Sequence, residues 1–252
     1  MTYNPFPQID LPFGKDNKYF LDLFDSIIKV DRKFIEYKVK YNESHDGYEK
    51  HLERVFAYEL YRHWGNRILS GSPSLMLNAE INKVINVNKI VCDSVNGEND
   101  SISKKETTLY PDMVLHHAQG DDKAQIMTCE IKRDRNLSDS LIFGDLYKEC
   151  CYMSKEKFKE GKEPFRYGVF IVIGDNGLSH IFKKIKKSTA IKTNDGDEDL
   201  KFVDFVKDKT LNSAFSRIVC VAYDGNMLEY NTFNKLINLE NRVELKLKEL
   251  GY

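Results

Sequence analysis

Read as a string of apolar and polar positions, the chain changes period several times. Over residues 17–40 apolar groups recur at helical spacing (Phe20, Leu21, Phe24, Ile27, Ile28), which predicts an amphipathic helix ahead of the main fold. A second helical pattern covers 47–69, after the polar stretch Asn42-Glu43-Ser44-His45-Asp46 and before Gly71-Ser72-Pro73. β-Branched and apolar positions then predict strands at 75–83 and 84–92, followed by a polar loop over 93–108. Two more strands are predicted at 109–117 and 125–132, joined through Gln119-Gly120-Asp121-Asp122 as a hairpin or meander. A helix over 138–158 leads into an unbroken apolar run at 167–174, which reads as a strand buried on both faces. A crossover through a helix predicts parallel pairing for that strand. Downstream lie a basic segment (Lys183, Lys184, Lys186, Lys187), an acidic loop at 194–199 and a strand at 217–223. A turn at Asp224-Gly225-Asn226 then leads to 227–230 and a closing helix that runs to about residue 250.

This order of elements predicts an α/β fold layered around a mixed sheet. At 252 residues the chain is long enough to bury a large core. Three parts are expected: an N-terminal helical extension (1–45), a core (46–175) and a C-terminal α/β extension packed on it (176–252). With 41% hydrophobic and 12% aromatic residues, the composition excludes a disordered tail. A formal net charge of -1 means that any nucleic-acid contact must come from a local basic face rather than from global charge. The five cysteines lack paired metal-ligand spacing and read as reduced thiols of a cytoplasmic protein. Residues 1–15 do not have the pattern of a signal peptide, and no stretch has membrane-spanning length.

Chemistry concentrates in two short stretches, Tyr110-Pro111-Asp112 and Glu130-Ile131-Lys132. Side chains alternate along a strand, so Glu130 and Lys132 project from one face, and Asp112 is expected at the start of the preceding strand on the same face. Two carboxylates and an amine then converge. Carboxylate oxygens suit Mg²⁺, and an ammonium beside the ion neutralises charge or orients an attacking water, as phosphate-ester hydrolysis requires. A Glu-x-Lys triplet is common in a chain with 31% charged residues, so its weight comes from its place at the end of the apolar run 124–129. For Asp112 the competing reading is a Pro-Asp turn. Glu53 projects among Phe56, Leu60 and Trp64 on the second helix, where a carboxylate needs a partner. Glu49, one turn earlier on that face, and Glu59 at its edge compete with it for the role. Glu80 lies on a strand that could flank the site, with an exposed position the plainer reading, and His116 and His117 read as ordinary strand histidines because no third metal ligand has suitable spacing. Lys132, Arg133 and Arg135 form a basic cluster beside the motif. Asp145, Tyr147 and Lys148 lie on the following helix, where Lys148 is within reach of a phosphate although a solvated helix face is the plainer reading.

From the second helix to about Gly174 the chain resembles the PD-(D/E)XK nuclease superfamily, also called restriction endonuclease-like. Pro111-Asp112 and Glu130-Ile131-Lys132 supply both halves of its signature, and the element order matches its αβββαβ core. The wording is also similar to that of uncharacterised bacterial members, with Glu-Arg in a helix, Asn78-Ala79-Glu80-Ile81-Asn82 on a strand, and Tyr-Pro-Asp followed by a His. The resemblance implies that Asp112 and Glu130 coordinate Mg²⁺ (Mn²⁺ as a substitute), with the Ile131 carbonyl as a further ligand. It also implies that Lys132 supports the nucleophile and that Glu53 completes the constellation. The expected function is a DNA endonuclease with Arg133, Arg135 and Lys148 along the nucleic acid, DNA ahead of RNA and no membrane partner. A non-catalytic module that keeps the fold to hold nucleic acid or protein is the alternative, and assembly into a homo-oligomer through the extensions stays open.

Overall fold

The unbroken apolar run predicted to be buried on both faces forms β4 (Tyr167–Ile173), in which only Tyr167 is not fully buried. The computed structural model describes residues 11–35, 45–79, 111–117, 125–133, 139–154, 163–174, 177–178 and 201–238, excepting the side chains of 45–52, 139–141 and 210. Around β4 stand β1 (Leu75–Ala79), β2 (Met113–His117), β3 (Met127–Arg133), β5 (Ile218–Tyr223) and β6 (Leu228–Thr232). They form one six-stranded sheet in chain order, β1-β2-β3-β4-β5-β6. The β1–β2, β2–β3 and β5–β6 pairs are antiparallel, whereas β3–β4 and β4–β5 are parallel. The fold is thus α/β around a mixed sheet, and three of the four strands predicted ahead of the crossover helix, the helix itself and the buried strand after it stand in the expected order among the described residues.

Helices cover both faces because the strands alternate. On one face Met113, Leu115, Cys129, Ile131, Val169 and Ile171 pack with α1 (Asn17–Ile27) and α2 (His45–Gly71). α2 contributes Phe56, Leu60, Trp64 and Ile68, spaced four apart so that they line one stripe. On the other face Val114, Phe170, Val172, Ile218 and Cys220 pack with α3 (Asp139–Met153), α4 (Phe202–Lys207) and α5 (Lys209–Phe215). Phe205 and Phe215 from that layer pack as tilted rings at a centroid distance of 5.0 Å.

Several boundaries differ from the expectations. The first helix stops at Ile27 rather than reaching residue 40, and a short 3₁₀ turn, Arg32–Phe34, follows, opened by Asp31, which accepts a hydrogen bond from the Lys33 N–H. α4 and α5 were not anticipated. They are short, and each contributes only two or three apolar anchors, too few for a periodic signal to stand out. The C-terminal extension does not simply lie on the core, since β5 and β6 continue its sheet. Their turn uses Gly225 at a φ of 96°, a conformation that favours glycine, with Asp224 Oδ1 accepting from the N–H groups of Asn226 (2.7 Å) and Met227 (2.6 Å). The strand predicted at 84–92, the loop 93–108, Glu80 and the basic segment at 183–187 lie outside the described residues.

Gly168 on β4 is the point of closest approach between sheet and α3. A Cβ there would meet Glu149 Oε2 at 2.3 Å, inside any allowed contact. Gly168→Ala is therefore expected to cost about 1–3 kcal/mol by overpacking. In chemical denaturation most of that cost should disappear when Glu149 is also Ala. Additive losses in the double variant would show that the clash is not with Glu149.

Candidate active site

The β2–β3 register sets Met113 opposite Cys129, so one step further along it Asp112 stands opposite Glu130. On β3 the even positions Thr128, Glu130 and Lys132 face α3, while Cys129 and Ile131 fill the core under α2. Asp112 is fixed by a short bond in which the Ile131 N–H donates to its Oδ2 at 2.6 Å. Glu53 reaches the C-terminal end of β3 from α2, where its Oε2 accepts from the Arg133 N–H at 3.3 Å. Its Oε1 lies 3.8 Å from the Lys132 ammonium. Lys132 is also 3.8 Å from Glu130 Oε2 and 3.6 Å from Asp145 Oδ2. Asp145 Oδ1 in turn accepts from the Lys148 ammonium at 2.7 Å. Residues more than ninety positions apart along the chain thus meet at the C-terminal ends of β3 and β4, where open α/β sheets place their ligands.

Burial sets the electrostatics. Glu130 is 3% exposed, and desolvation, followed by the charges of Asp112 and Asp145, pushes its carboxyl well above the ordinary 4.5, against the pull of Lys148 and Lys132. Glu53 is raised as well, first by burial, with Lys132 opposing and Asp112 assisting. Burial works against the charged forms of both lysines, yet Asp145 and Glu130 outweigh it and raise each above the ordinary 10.5. Lys132 and Lys148 therefore stay cationic. Glu130 Oε1 and Asp145 Oδ2 are buried and accept no hydrogen bond.

The four motif residues Glu53, Asp112, Glu130 and Lys132 share this one cleft, and Lys148 joins them. Glu59 does not: it pairs with Arg62 on the exposed side of α2, at 2.6 Å. Arg133, expected along a phosphate backbone, also turns away. As an odd-numbered residue of β3 it points to the α2 face, where it is 8% exposed and donates from Nη2 to the Ile35 carbonyl at 2.8 Å. Its function there is to tie the N-terminal segment to the end of β3. His116 contacts the Asn78 side chain and the His117 carbonyl, as suits an ordinary strand histidine. Arg135, Tyr110 and the side chain of Glu49 lie outside the described residues.

Two more carboxylates belong here: Asp145, which the sequence places on the helix without a role, and Glu149, which it does not single out. Asp145 and Glu149 fall on the buried stripe of α3 with Ile142, Leu146, Cys150 and Met153. Acids four apart inside an apolar stripe were the available signal, because a buried carboxylate needs a partner. Glu149 is fully buried, with the Thr128 hydroxyl donating to its Oε2 at 2.5 Å.

As candidate cation ligands these carboxylates supply the hard oxygens that Mg²⁺ prefers, and three of those oxygens, Glu130 Oε1, Asp145 Oδ2 and Glu149 Oε1, are buried without a donor. Among the described residues, no three His, Cys, Asp or Glu side chains are drawn in to metal-ligand spacing; the convergence is on the Lys132 ammonium instead. No helix among the described residues is long and apolar enough to cross a membrane. Compared with protein-family models, with curated proteins and with solved structures, the chain finds no match.

Proposed function

We propose that this chain is a Mg²⁺-dependent nuclease of the PD-(D/E)XK type that hydrolyses phosphodiester bonds in DNA. The observation that carries the reading is a charge imbalance. Among the described residues, Glu53, Asp112, Glu130 and Asp145 set four carboxyl groups around two ammonium groups, Lys132 and Lys148; with all four ionised this mostly buried cluster has a formal deficit of two charges, and without a further cation burial and like charge hold Glu130 and Glu53 toward their protonated forms. One bound divalent cation would balance that deficit in place of the protons and so favour the ionised forms. The helix, three strands, helix and strand order, with Asp112 and Glu130 side by side and Lys132 two residues on, supports the same family. The four described cysteines are all buried thiols, which fits a reducing compartment such as the cytoplasm.

Asp112 and Glu130 would hold the cation, with the Ile131 carbonyl as a further ligand. Bound there, Mg²⁺ supplies a polarised phosphate oxygen and a more acidic water. Lys132 offsets the charge that develops on the phosphoryl group as the bond to the leaving oxygen lengthens. Glu53 and Asp145 keep the Lys132 ammonium within 3.8 Å of Glu130 instead of letting it swing to solvent. Lys148, held by Asp145, is the cation that α3 offers to the nucleic-acid backbone.

Purified protein incubated with supercoiled DNA, single-stranded DNA and RNA is expected to cut the DNA substrates only with Mg²⁺ or Mn²⁺, and calorimetry to show cation binding that Glu130→Ala abolishes. Cation binding with no cleavage of any substrate would favour a binding module that keeps the fold. Cleavage that persists in EDTA would exclude the mechanism.

A further inference from the structure

Three carboxylates from separate elements surround the Lys132 ammonium: Glu53 from α2, Glu130 from β3 and Asp145 from α3, at 3.8, 3.8 and 3.6 Å. These separations exceed the ~2.7–3.2 Å of a directed N–H···O bond. The ammonium is therefore held by charge and stands off from each of these three oxygens. Bound divalent cations draw oxygens in much closer, to about 2.0–2.6 Å. Two oxygens of the nest, Glu130 Oε1 and Asp145 Oδ2, accept no hydrogen bond, although each belongs to a side chain only 3% exposed. Leaving a buried acceptor unsatisfied costs about 1–3 kcal/mol, more for a charged one. The nest thus has more ligand capacity than one ammonium uses. Asp145 is also aimed: the 2.7 Å bond from Lys148 to Oδ1 fixes the carboxylate with Oδ2 toward Lys132.

We propose that Glu53, Glu130 and Asp145 form a divalent-cation position that the Lys132 ammonium fills from within the chain, so that Lys132 stands where a second metal ion would sit beside the Asp112–Glu130 cation. The inference rests on the cation reading of the cleft for its chemistry and on geometry for the role of Asp145. It makes Asp145 a site residue and the protein a one-metal enzyme with a built-in second cation.

The test counts bound ions. Mn²⁺ is titrated into the full-length chain and followed by calorimetry and by loss of the free-ion paramagnetic signal. Lys132→Met is expected to bind one more ion per chain than the parent, and Lys132→Met/Asp145→Asn to lose that gain. Removing the ammonium leaves three carboxylates facing one another, so the melting temperature of Lys132→Met in EDTA should fall below that of the parent and recover with Mn²⁺. Lys132→Gln is the second variant if the Met form does not fold, and the same extra ion is expected. Equal stoichiometry in the parent and both Lys132 variants overturns the inference. A gain that survives Asp145→Asn overturns it too, as does failure of both variants to fold with Mn²⁺ present. A parent that binds no ion and cuts no substrate would sink the proposed nuclease, yet an extra ion in Lys132→Met that Asp145→Asn removes would still establish the nest.

Discussion

Asp112→Asn is expected to lower Mg²⁺-dependent DNA cleavage by about three orders of magnitude and to leave the protein at least as stable as the parent. The activity loss follows from charge. A metal ion contributes several kcal/mol of transition-state stabilisation, and each ~1.4 kcal/mol lost is a tenfold fall in rate. The amide oxygen of Asn can still accept from the Ile131 N–H, which in the parent binds Asp112 Oδ2 at 2.6 Å, so the strand geometry survives. What disappears is a negative charge that raises the neighbouring carboxyl of Glu130. Relieving like-charge crowding in a buried cleft is stabilising, the usual opposition between a strained site and a stable fold. Single-turnover cleavage at saturating Mg²⁺, with thermal melting in EDTA, checks both halves. A rate within tenfold of the parent would remove Asp112 from the cation site, and a large drop in melting temperature would make it a structural residue.

Glu149→Gln is expected to make the protein more stable than the parent at pH 8 and to remove that advantage near pH 4. Glu149 is fully buried under Gly168. Burial is the first cause of its raised pKa, with the charges of Asp145 and Asp112 adding to it and the Thr128 hydroxyl opposing. The folded state therefore keeps a proton that the unfolded chain releases above the ordinary 4.5. The stability this proton represents is complete below about 4.5 and is lost as pH rises from there toward the folded-state pKa. Across that window the parent loses up to about 1.4 kcal/mol per pH unit relative to Gln, which carries no charge to desolvate. Gln also keeps an acceptor for Thr128. Denaturant midpoints of the two proteins between pH 4 and 8 should diverge steadily, and parallel curves would mean that Glu149 ionises as readily in the folded state as in the unfolded one.

The parts of this molecule legible in the sequence are those with strong local signals. The apolar run of β4, the helical stripe of α2 and the alternation on β3 each follow from burial on a defined face, and with them came the mixed sheet and the convergence of Glu53, Asp112, Glu130 and Lys132, whereas the order of the strands across the sheet did not. Asp145 was seen only as one residue of a helix, because periodicity fixes a residue's angle around its axis but not which strand end that angle meets. Arg133 shows the converse failure. Its charge suggested a phosphate, but the alternation that carries Lys132 into the cleft carries its neighbour to the opposite face.

That alternation also constrains where the molecule can change. From 128 to 133 the successive side chains of β3 are committed in turn to the cleft and to the packing beneath α2, and Arg133 is committed to anchoring the N-terminal segment. Inserting or deleting one residue there would exchange the two sets wholesale, placing an acid and an amine in the aliphatic layer and aliphatic groups in the carboxylate cluster. The strand therefore has little mutational freedom, and tolerated length changes are to be sought in the segments that flank the sheet.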